Sequence, residues 1–304
     1  MEEPTPKRHR THAPHKGLRA PQPPVDTAAR DAELLASNNP LMPMFLRFRE
    51  ELDEHHDRRE RVIKASRDVT ALSKKVIFTL QRYVPSPSVG SQPLCARTTD
   101  PALSSARKLA APLPANLEKE ASLRLSEIQA ALASIAPDLL GINANRYQRN
   151  ISGGLQELIE ALAFYQYLTT GALLPYSTAS TSAVLGGIEL TVSDYVLGIF
   201  DFVGEAMRFG ITMVALSGGG GGDAEKILSD MRRLREEFEG IDTLHHGGGS
   251  FIGKDVDRKM TVMKQCVEKV ENAVYSVIVR GSEKPKGWVP EMESLMVSVG
   301  VCDE

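Results

Sequence analysis

The sequence predicts an all-α protein, and three observations support that fold class. Apolar residues recur every three or four positions in long runs, as they do on the buried face of a helix. Prolines and glycines interrupt these runs at wide intervals and give each helix an end. No stretch alternates apolar and polar residues as a half-buried strand would. We therefore expect an elongated, antiparallel bundle of seven helices.

The first predicted helix is the longest. Its apolar positions begin at Phe45 and continue to Tyr83, and Pro85 ends the run. A helix of about forty residues would be roughly 60 Å long at 1.5 Å per residue, which indicates an elongated bundle or an assembly-forming rod. Residues 1–40 are rich in proline and poor in apolar surface, which predicts a disordered tail ahead of a helical domain at 41–304.

The later helices follow from the same periodicity. They are expected near residues 117–135, 146–170, 193–216, 227–238 and 260–277, with a short last element near 288–299. Flexible loops are expected near 85–115, 171–190, 217–223 and 243–254. The helix at 193–216 is the most apolar, but its three ionisable side chains would be very costly at bilayer depth, so we interpret it as a buried helix and expect no membrane span.

Composition excludes several classes of function. The formal net charge of −3 provides no general basic field, so a nucleic-acid partner would need a local patch or a neighbouring subunit. Cys95, Cys266 and Cys302 lack the spacing of zinc sites or disulfide frameworks, which fits a reducing cytosol or nucleus. Residues 1–40 contain no apolar core of a secretory signal, so export by that route is not expected.

The tail carries a basic cluster centred on Lys7, Arg8 and Arg10. Such clusters are recognised by nuclear import receptors or by RNA phosphates, although a merely solubilising tail has a similar composition. We therefore expect the protein in the cytoplasm and the nucleus, with this cluster as the nuclear localisation signal.

Four carboxylates on two helices form the candidate functional site. Glu157 and Glu160 stand three residues apart on one face of the helix at 146–170. Asp201 and Glu205 stand four apart within the apolar helix at 193–216. A buried carboxylate without a partner costs several kcal/mol or takes up a proton, so these acids require cations.

Two interpretations of the acids compete. In a structural one, Glu205 pairs with Arg208, Glu157 or Glu160 is solvated, and Arg149 is a further partner. In a functional one, the four acids converge on Mg²⁺, or alternatively Mn²⁺, because these hard cations take oxygen ligands. A di-iron site of the ferritin type would need Glu-x-x-His pairs, and no histidine stands three residues after these acids. Metal-assisted phosphodiester hydrolysis needs no histidine.

Three blocks of sequence resemble the translin superfamily, specifically its translin-associated factor X branch. The blocks are 56–70 in the first helix, 154–161 joined to 194–208 in the acid-bearing helices, and 269–275 leading to 279–285. The resemblance spans roughly residues 45–289. It implies a seven-helix protein that assembles with translin into a hetero-octamer acting as a Mg²⁺-dependent endoribonuclease.

The resemblance also implies roles for individual residues. The family motif places its catalytic, metal-binding acids at Glu157, Glu160, Asp201 and Glu205. Arg149 and Arg208 are near these acids in sequence and are expected as RNA phosphate contacts. The implied substrates are small structured or single-stranded RNAs, such as passenger-strand or precursor-tRNA fragments, and single-stranded DNA is a further expected ligand. The alternative is a non-catalytic helical scaffold that partners translin and binds nucleic acid through surface charge.

Overall fold

A computed structural model of the chain describes residues 39–84, 112–217, 222–242 and 254–281. Within these ranges the protein is all-α and contains no strand, which confirms the predicted fold class. Its helices are α1 (Met42–Gln81), α2 (Ala115–Ile135), α3 (Ile142–Thr170), α4 (Tyr176–Ser180), α5 (Val192–Ser217), α6 (Gly222–Asp242) and α7 (Lys254–Gly281). Short 3₁₀ turns at Ala136–Leu139 and Ala183–Leu185 follow α2 and α4.

The chain divides into two compact units, residues 1–56 and 57–304. The described part of the first unit is residues 39–56, the beginning of α1. It carries a row of exposed apolar side chains at helical spacing: Leu41, Met44, Phe45, Phe48 and Leu52. The rings of Phe45 and Phe48 meet edge to face with centroids 6.5 Å apart. The features described below belong to the second unit.

Helix α5 is the centre of the second unit's core. It packs against α3, α6 and α7, and its side chains are apolar in nearly every direction. Phe202 and Phe209 are fully buried and contact Phe164 of α3 at ring-centroid distances of 6.5 and 5.9 Å. This packing confirms that the most apolar predicted helix is a buried one. In the described ranges no helix has the length and apolarity needed to cross a membrane.

The two acid-bearing helices, α3 and α5, run in the same direction. Near its start, α5 contacts the start of α3 through Asp194 and Gln148, whose side chains hydrogen-bond at 2.6 Å. Further along, Phe202 of α5 packs on Phe164 and Tyr167 of α3. Helices α6 and α7 are antiparallel instead. Arg232, midway along α6, pairs with Glu271 in the second half of α7, and Glu239, near the end of α6, pairs with Lys264 in the first half of α7.

Parallel neighbours need a crossover, and residues 171–191 provide it. This segment, predicted as a flexible loop, contains α4 and a 3₁₀ turn that packs on α2. It buries the apolar side chains of Leu174, Ala179, Leu185, Ile188 and Leu190. Gly186 has a φ of 60°, and a Cβ there would lie 2.5 Å from the backbone nitrogen of Ala133. Helix α4 has five residues, which are too few for apolar periodicity in the sequence to predict a helix.

The start of α5 is fixed to α3 by a buried carboxylate. The Asp194 backbone N–H donates to the Thr191 hydroxyl at 3.1 Å, and that hydroxyl donates to the Asp194 carboxylate at 2.8 Å. Thr191 is therefore the N-cap residue of α5, and its hydroxyl both accepts from and donates to Asp194. The same carboxylate accepts hydrogen bonds from Gln148, Ser152 and Gln156 of α3. A side chain that is 2% exposed therefore has several donors.

Several predicted features differ from the structure or lie outside it. Helix α3 begins at Ile142 rather than at 146, because Gly141 with a φ of 60° precedes a first turn that is too short to show apolar periodicity. Helix α7 begins at Lys254 rather than at 260. The described residues do not include the tail with Lys7, Arg8 and Arg10, the segments 85–111, 218–221 and 243–253, the element near 288–299, Cys95 or Cys302. Cys266 is buried.

Candidate functional site

The four predicted acids line one cleft. The cleft has a volume of about 730 Å³ and is formed by residues of α1, α3, α5 and α7. Helix α3 contributes Glu157 and Glu160, and α5 contributes Asp201 and Glu205. Basic side chains also line it, namely Lys74, Arg208, Arg258, Lys259 and Lys269. The structure thus brings together all four acids and surrounds them with cations.

Two glycines bring the backbones close together beside the acids. A Cβ at Gly198 of α5 would lie 2.7 Å from the Gln156 carbonyl oxygen of α3. A Cβ at Gly154 of α3 would lie 2.9 Å from the Ser66 carbonyl oxygen of α1. Each glycine lies about one helical turn before an acid, so the close approaches hold the first acid of each pair near the neighbouring helix.

Glu205 has partners on two sides. Its side chain is 6% exposed and forms an ion pair with Arg208, one turn later on α5. The Gln81 amide at the end of α1 donates to the Glu205 carboxylate at 2.8 Å and to its backbone carbonyl at 3.0 Å. The Arg208 pair is the one that the structural interpretation of the sequence predicted.

Asp201 and Glu157 each have a lysine partner from another helix. Lys259 of α7 pairs with the Asp201 carboxylate. Lys74 of α1 lies 3.4 Å from the Glu157 carboxylate. Burial raises the pKa of Glu157 above its ordinary value, and the Lys74 ammonium opposes that rise. Each of these two acids therefore has a lysine cation beside it.

Glu160 differs from the other three acids. Its side chain is 8% exposed, so it is not solvated. In the described part of the chain no hydrogen-bond donor or cation contacts its carboxylate directly. Burial, and then the negative charges of Glu205, Asp201 and Glu157, raise the pKa of Glu160 to about 9, and the more distant Lys259 lowers it only in part. Glu160 is therefore protonated at neutral pH in this arrangement.

The donor chemistry of the cleft suits a hard divalent cation, because its acids offer carboxylate oxygens. Across the described ranges, however, no group of three or more His, Cys, Asp or Glu side chains is close enough to hold a metal ion. Lysine and arginine side chains occupy three of the carboxylates instead. A metal ion would have to compete with those side chains and displace the proton of Glu160.

The basic residues of the cleft differ from those predicted. Arg208 lines it, but Arg149 is exposed near the start of α3 and is not among its lining residues. Five further residues that line the cleft were not predicted as site residues: Lys74, Phe78, Arg258, Lys259 and Lys269. Lys74 closely follows the block at 56–70 and Lys269 begins the last block, so the blocks of family resemblance gave a partial indication of these two residues. Arg258 and Lys259 lie outside the blocks, and only the packing of α7 against α5 brings them to the acids.

The sequence matches a known family over most of its length. The profile of the translin family matches residues 57–281. Translin-associated protein X of Rattus norvegicus is 28% identical over 293 residues, covering 88% of this chain and 88% of that protein. The translin-associated protein X homolog of Schizosaccharomyces pombe is 30% identical over 240 residues, covering 79% of this chain and 89% of the homolog.

Solved structures agree in fold. The structure described as apo-NeC3PO matches with a TM-score of 0.54 at 18% identity, covering 77% of this chain and 97% of that one. The structure described as AfC3PO matches with a TM-score of 0.50 at 16% identity, covering 78% and 97%. Sequence and fold agree, and the chain belongs to the translin family, in the branch of translin-associated protein X.

Proposed function

We propose that this chain is the catalytic subunit of a translin-containing, Mg²⁺-dependent endoribonuclease. The observation that carries the proposal is the convergence of Glu157, Glu160, Asp201 and Glu205 on one cleft, with Glu160 buried beside three other acids. A helical bundle gains no stability from a buried carboxylate facing like charges, because burial and repulsion both penalise its ionised form. Such an arrangement becomes favourable when a divalent cation supplies the missing positive charge.

The four acids would hold the metal ion, and the basic residues would hold the RNA. Bound Mg²⁺ supplies a Lewis acid that polarises the scissile phosphodiester and activates a water molecule. Glu160 releases its proton when it becomes a ligand, so binding should tighten as pH rises. Arg208 and Lys259 pair with acids of the cleft, and once a metal ion binds those acids their long side chains would turn to RNA phosphates. Mn²⁺ has the same ligand preference and is an alternative.

The proposed partner is translin, in a hetero-oligomer that we expect to be an octamer. The names of the curated relatives associate those proteins with translin. In this chain, the exposed apolar row on α1 between residues 41 and 52 supports a protein contact, since apolar patches of this kind mark interaction sites. The proposed substrates are small structured or single-stranded RNAs, including passenger-strand and precursor-tRNA fragments, and single-stranded DNA is a further ligand.

A second candidate function is a non-catalytic scaffold in a translin assembly. It is favoured by the ion pairs of three of the acids. Glu157 pairs with Lys74 and links α3 to α1, Asp201 pairs with Lys259 and links α5 to α7, and Glu205 pairs with Arg208 within α5. In this account the basic residues of the cleft bind nucleic acid and the acids orient them. The scaffold account gives no reason for burying Glu160 beside the other acids.

Cleavage by the reconstituted complex separates the two functions. The chain is co-expressed with translin, and single-stranded RNA cleavage is measured with Mg²⁺ and with EDTA. We expect Mg²⁺-dependent cleavage, and we expect Glu157→Gln, Glu160→Gln, Asp201→Asn and Glu205→Gln each to abolish it while the complex still assembles. Glu127→Gln, an exposed acid on α2, is the matched control and should cleave normally. Full activity in all four cleft variants would rule out the catalytic proposal.

We also propose that the chain is present in the cytoplasm and the nucleus, with Lys7, Arg8 and Arg10 as the nuclear localisation signal. Import receptors recognise clusters of basic residues of this kind. Replacing the three residues by alanine should reduce the nuclear fraction of a fluorescent fusion without changing its total amount. An unchanged nuclear fraction would contradict this assignment.

A further inference from the structure

We propose that Phe78 stacks on an unpaired base and so positions one nucleotide of the RNA strand at the acid cleft. This inference rests on the proposed function, because it assigns the base-binding part of the same site. Phe78 is 70% exposed, whereas Val76, Ile77 and Leu80 beside it on α1 are buried. Single exposed apolar side chains are common, so the ring's position rather than its exposure carries the argument.

Phe78 lies on the face of α1 that contacts the acids. Lys74 is one turn before it and reaches Glu157 at 3.4 Å. Gln81 is about one turn after it and reaches Glu205 at 2.8 Å. Residues spaced by three and four positions share one side of a helix, so the Phe78 ring lies between two side chains that touch the acids. It also lines the cleft itself.

The surroundings of the ring match a nucleotide better than a peptide. The cleft contains an exposed aromatic ring, exposed basic side chains at Lys74 and Arg258, and four acids, of which Glu160 and Glu205 are buried. A nucleotide uses all three: its base has a face for stacking, its phosphate takes a cation, and its scissile bond needs the metal-binding acids. An apolar peptide segment would use the ring and leave the charges without a role.

The geometry also limits the nucleic acid. Bases in a duplex are stacked inside it, so a protein ring can stack fully only on a base that is unpaired. Stacking on a ring has little sequence preference, because every base presents a π-face. Phe78 therefore selects an unpaired nucleotide at the cleft without selecting its identity.

Fluorescence of a base analogue tests this assignment. A single-stranded RNA with one 2-aminopurine is titrated with the translin complex in EDTA, so that cleavage does not interfere, and stacking is read as quenching. We compare wild type with Phe78→Leu, which keeps apolar volume without the ring, and with Phe78→Trp, which restores a ring. Tyr275→Leu removes an aromatic side chain that is 66% exposed and outside the cleft lining, and is the matched control.

Wild type, Phe78→Trp and Tyr275→Leu should quench the probe, and Phe78→Leu should lose quenching and bind roughly tenfold more weakly, as expected for one base–aromatic stack. Quenching and affinity that survive in Phe78→Leu would overturn the proposal. Dissociation of the Phe78→Leu complex in size-exclusion chromatography, with Tyr275→Leu intact, would also overturn it and assign Phe78 to a protein interface. The EDTA measurement is independent of cleavage, so a wild type that stacks the base but does not cleave in Mg²⁺ refutes the proposed function alone.

Discussion

Two buried acids of the α3–α5 pair have opposite environments. Asp194 is 2% exposed and accepts hydrogen bonds from Gln148, Gln156 and Thr191, among others. Glu160 is 8% exposed and faces three other carboxylates, and no donor in the described ranges contacts it. Neutral hydrogen-bond donors stabilise the Asp194 carboxylate at the start of α5. No such donor in the described ranges stabilises the Glu160 carboxyl.

The difference separates a structural acid from one that we propose to be functional. Burying a carboxylate stabilises a fold only when hydrogen bonds replace its lost hydration, and Asp194 meets that condition. Burying one beside like charges shifts its pKa and favours a bound cation or a proton, which is the situation of Glu160. Titratable groups with strongly perturbed pKa values in a cleft are typical of functional sites. The following variants test this contrast, from the largest expected effect to the smallest.

Glu160 should make the metal-free protein less stable at high pH. Its pKa of about 9 in the folded state exceeds its ordinary value of 4.5, so the folded state retains a proton that the unfolded state loses. The contribution of Glu160 to the free energy of unfolding is fully present below pH 4.5 and is lost as pH rises through 9. We would measure the free energy of unfolding by urea in EDTA at pH 5 and at pH 9. Between the two, wild type should lose several kcal/mol more than Glu160→Gln. Equal pH dependence would contradict the environment described for Glu160.

Asp194→Ala should destabilise the protein by about 2–4 kcal/mol, because it leaves several part-buried donors of α3 without their acceptor. Glu160→Gln at neutral pH should cost nothing or stabilise, since the folded protein no longer has to protonate a carboxyl that is ionised in the unfolded state. Thermal and urea unfolding of both variants, at one protein concentration, measure the contrast. If Glu160→Gln proved as destabilising as Asp194→Ala, Glu160 would belong to the structural class.

Gly198→Ala should lower the free energy of unfolding by about 1–3 kcal/mol. The added Cβ would overlap the Gln156 carbonyl oxygen of α3 and force α3 and α5 apart. Gly153→Ala is the control, since a Cβ there meets nothing within 4 Å. That change should stabilise by up to about 1 kcal/mol through helix propensity alone. The same loss in both variants would mean that the close approach of α3 and α5 does not constrain the cleft.

Lys74→Gln should change the free energy of unfolding by less than about 1 kcal/mol, because Lys74 is largely exposed and its pair with Glu157 is screened by water. It should still raise the pKa of Glu157, which Lys74 lowers in the wild-type protein. Carboxyl titration followed by NMR would measure the shift. A downward shift, or none, would remove Lys74 from the electrostatics of the cleft.

The fold was largely predictable because long apolar periods determine long helices. The helices bearing the acids were located within a few residues, and the i, i+3 and i, i+4 spacings placed each pair of acids on one face. The crossover at 171–191 was not predicted, because its buried residues depend on the parallel packing of α3 and α5. Periodicity within one helix contains no information about the direction of its neighbour.

The acids of the site were predictable and their partners were only partly so. Glu205 and Arg208 are three residues apart, so their pairing could be expected from helix geometry. Lys259 pairs with Asp201 across 58 positions of sequence, and only tertiary packing brings the two together. Phe78 was not predicted as a site residue, because one more aromatic side chain in a long helix gives no sign in sequence that it is exposed at the cleft. Contacts between distant helices define the chemistry of this site.

Direct metal binding tests the central claim, that the acid cleft of this chain is a divalent-cation site. Mn²⁺ is titrated into the purified complex at pH 8 and free Mn²⁺ is followed by electron paramagnetic resonance, with wild type compared to Glu160→Gln and to the exposed control Glu127→Gln. We expect saturable binding to wild type and to the control, competition by Mg²⁺, and loss of that binding in Glu160→Gln. Equal binding by all three proteins, or RNA cleavage by a complex whose cleft binds no Mn²⁺, would contradict the claim.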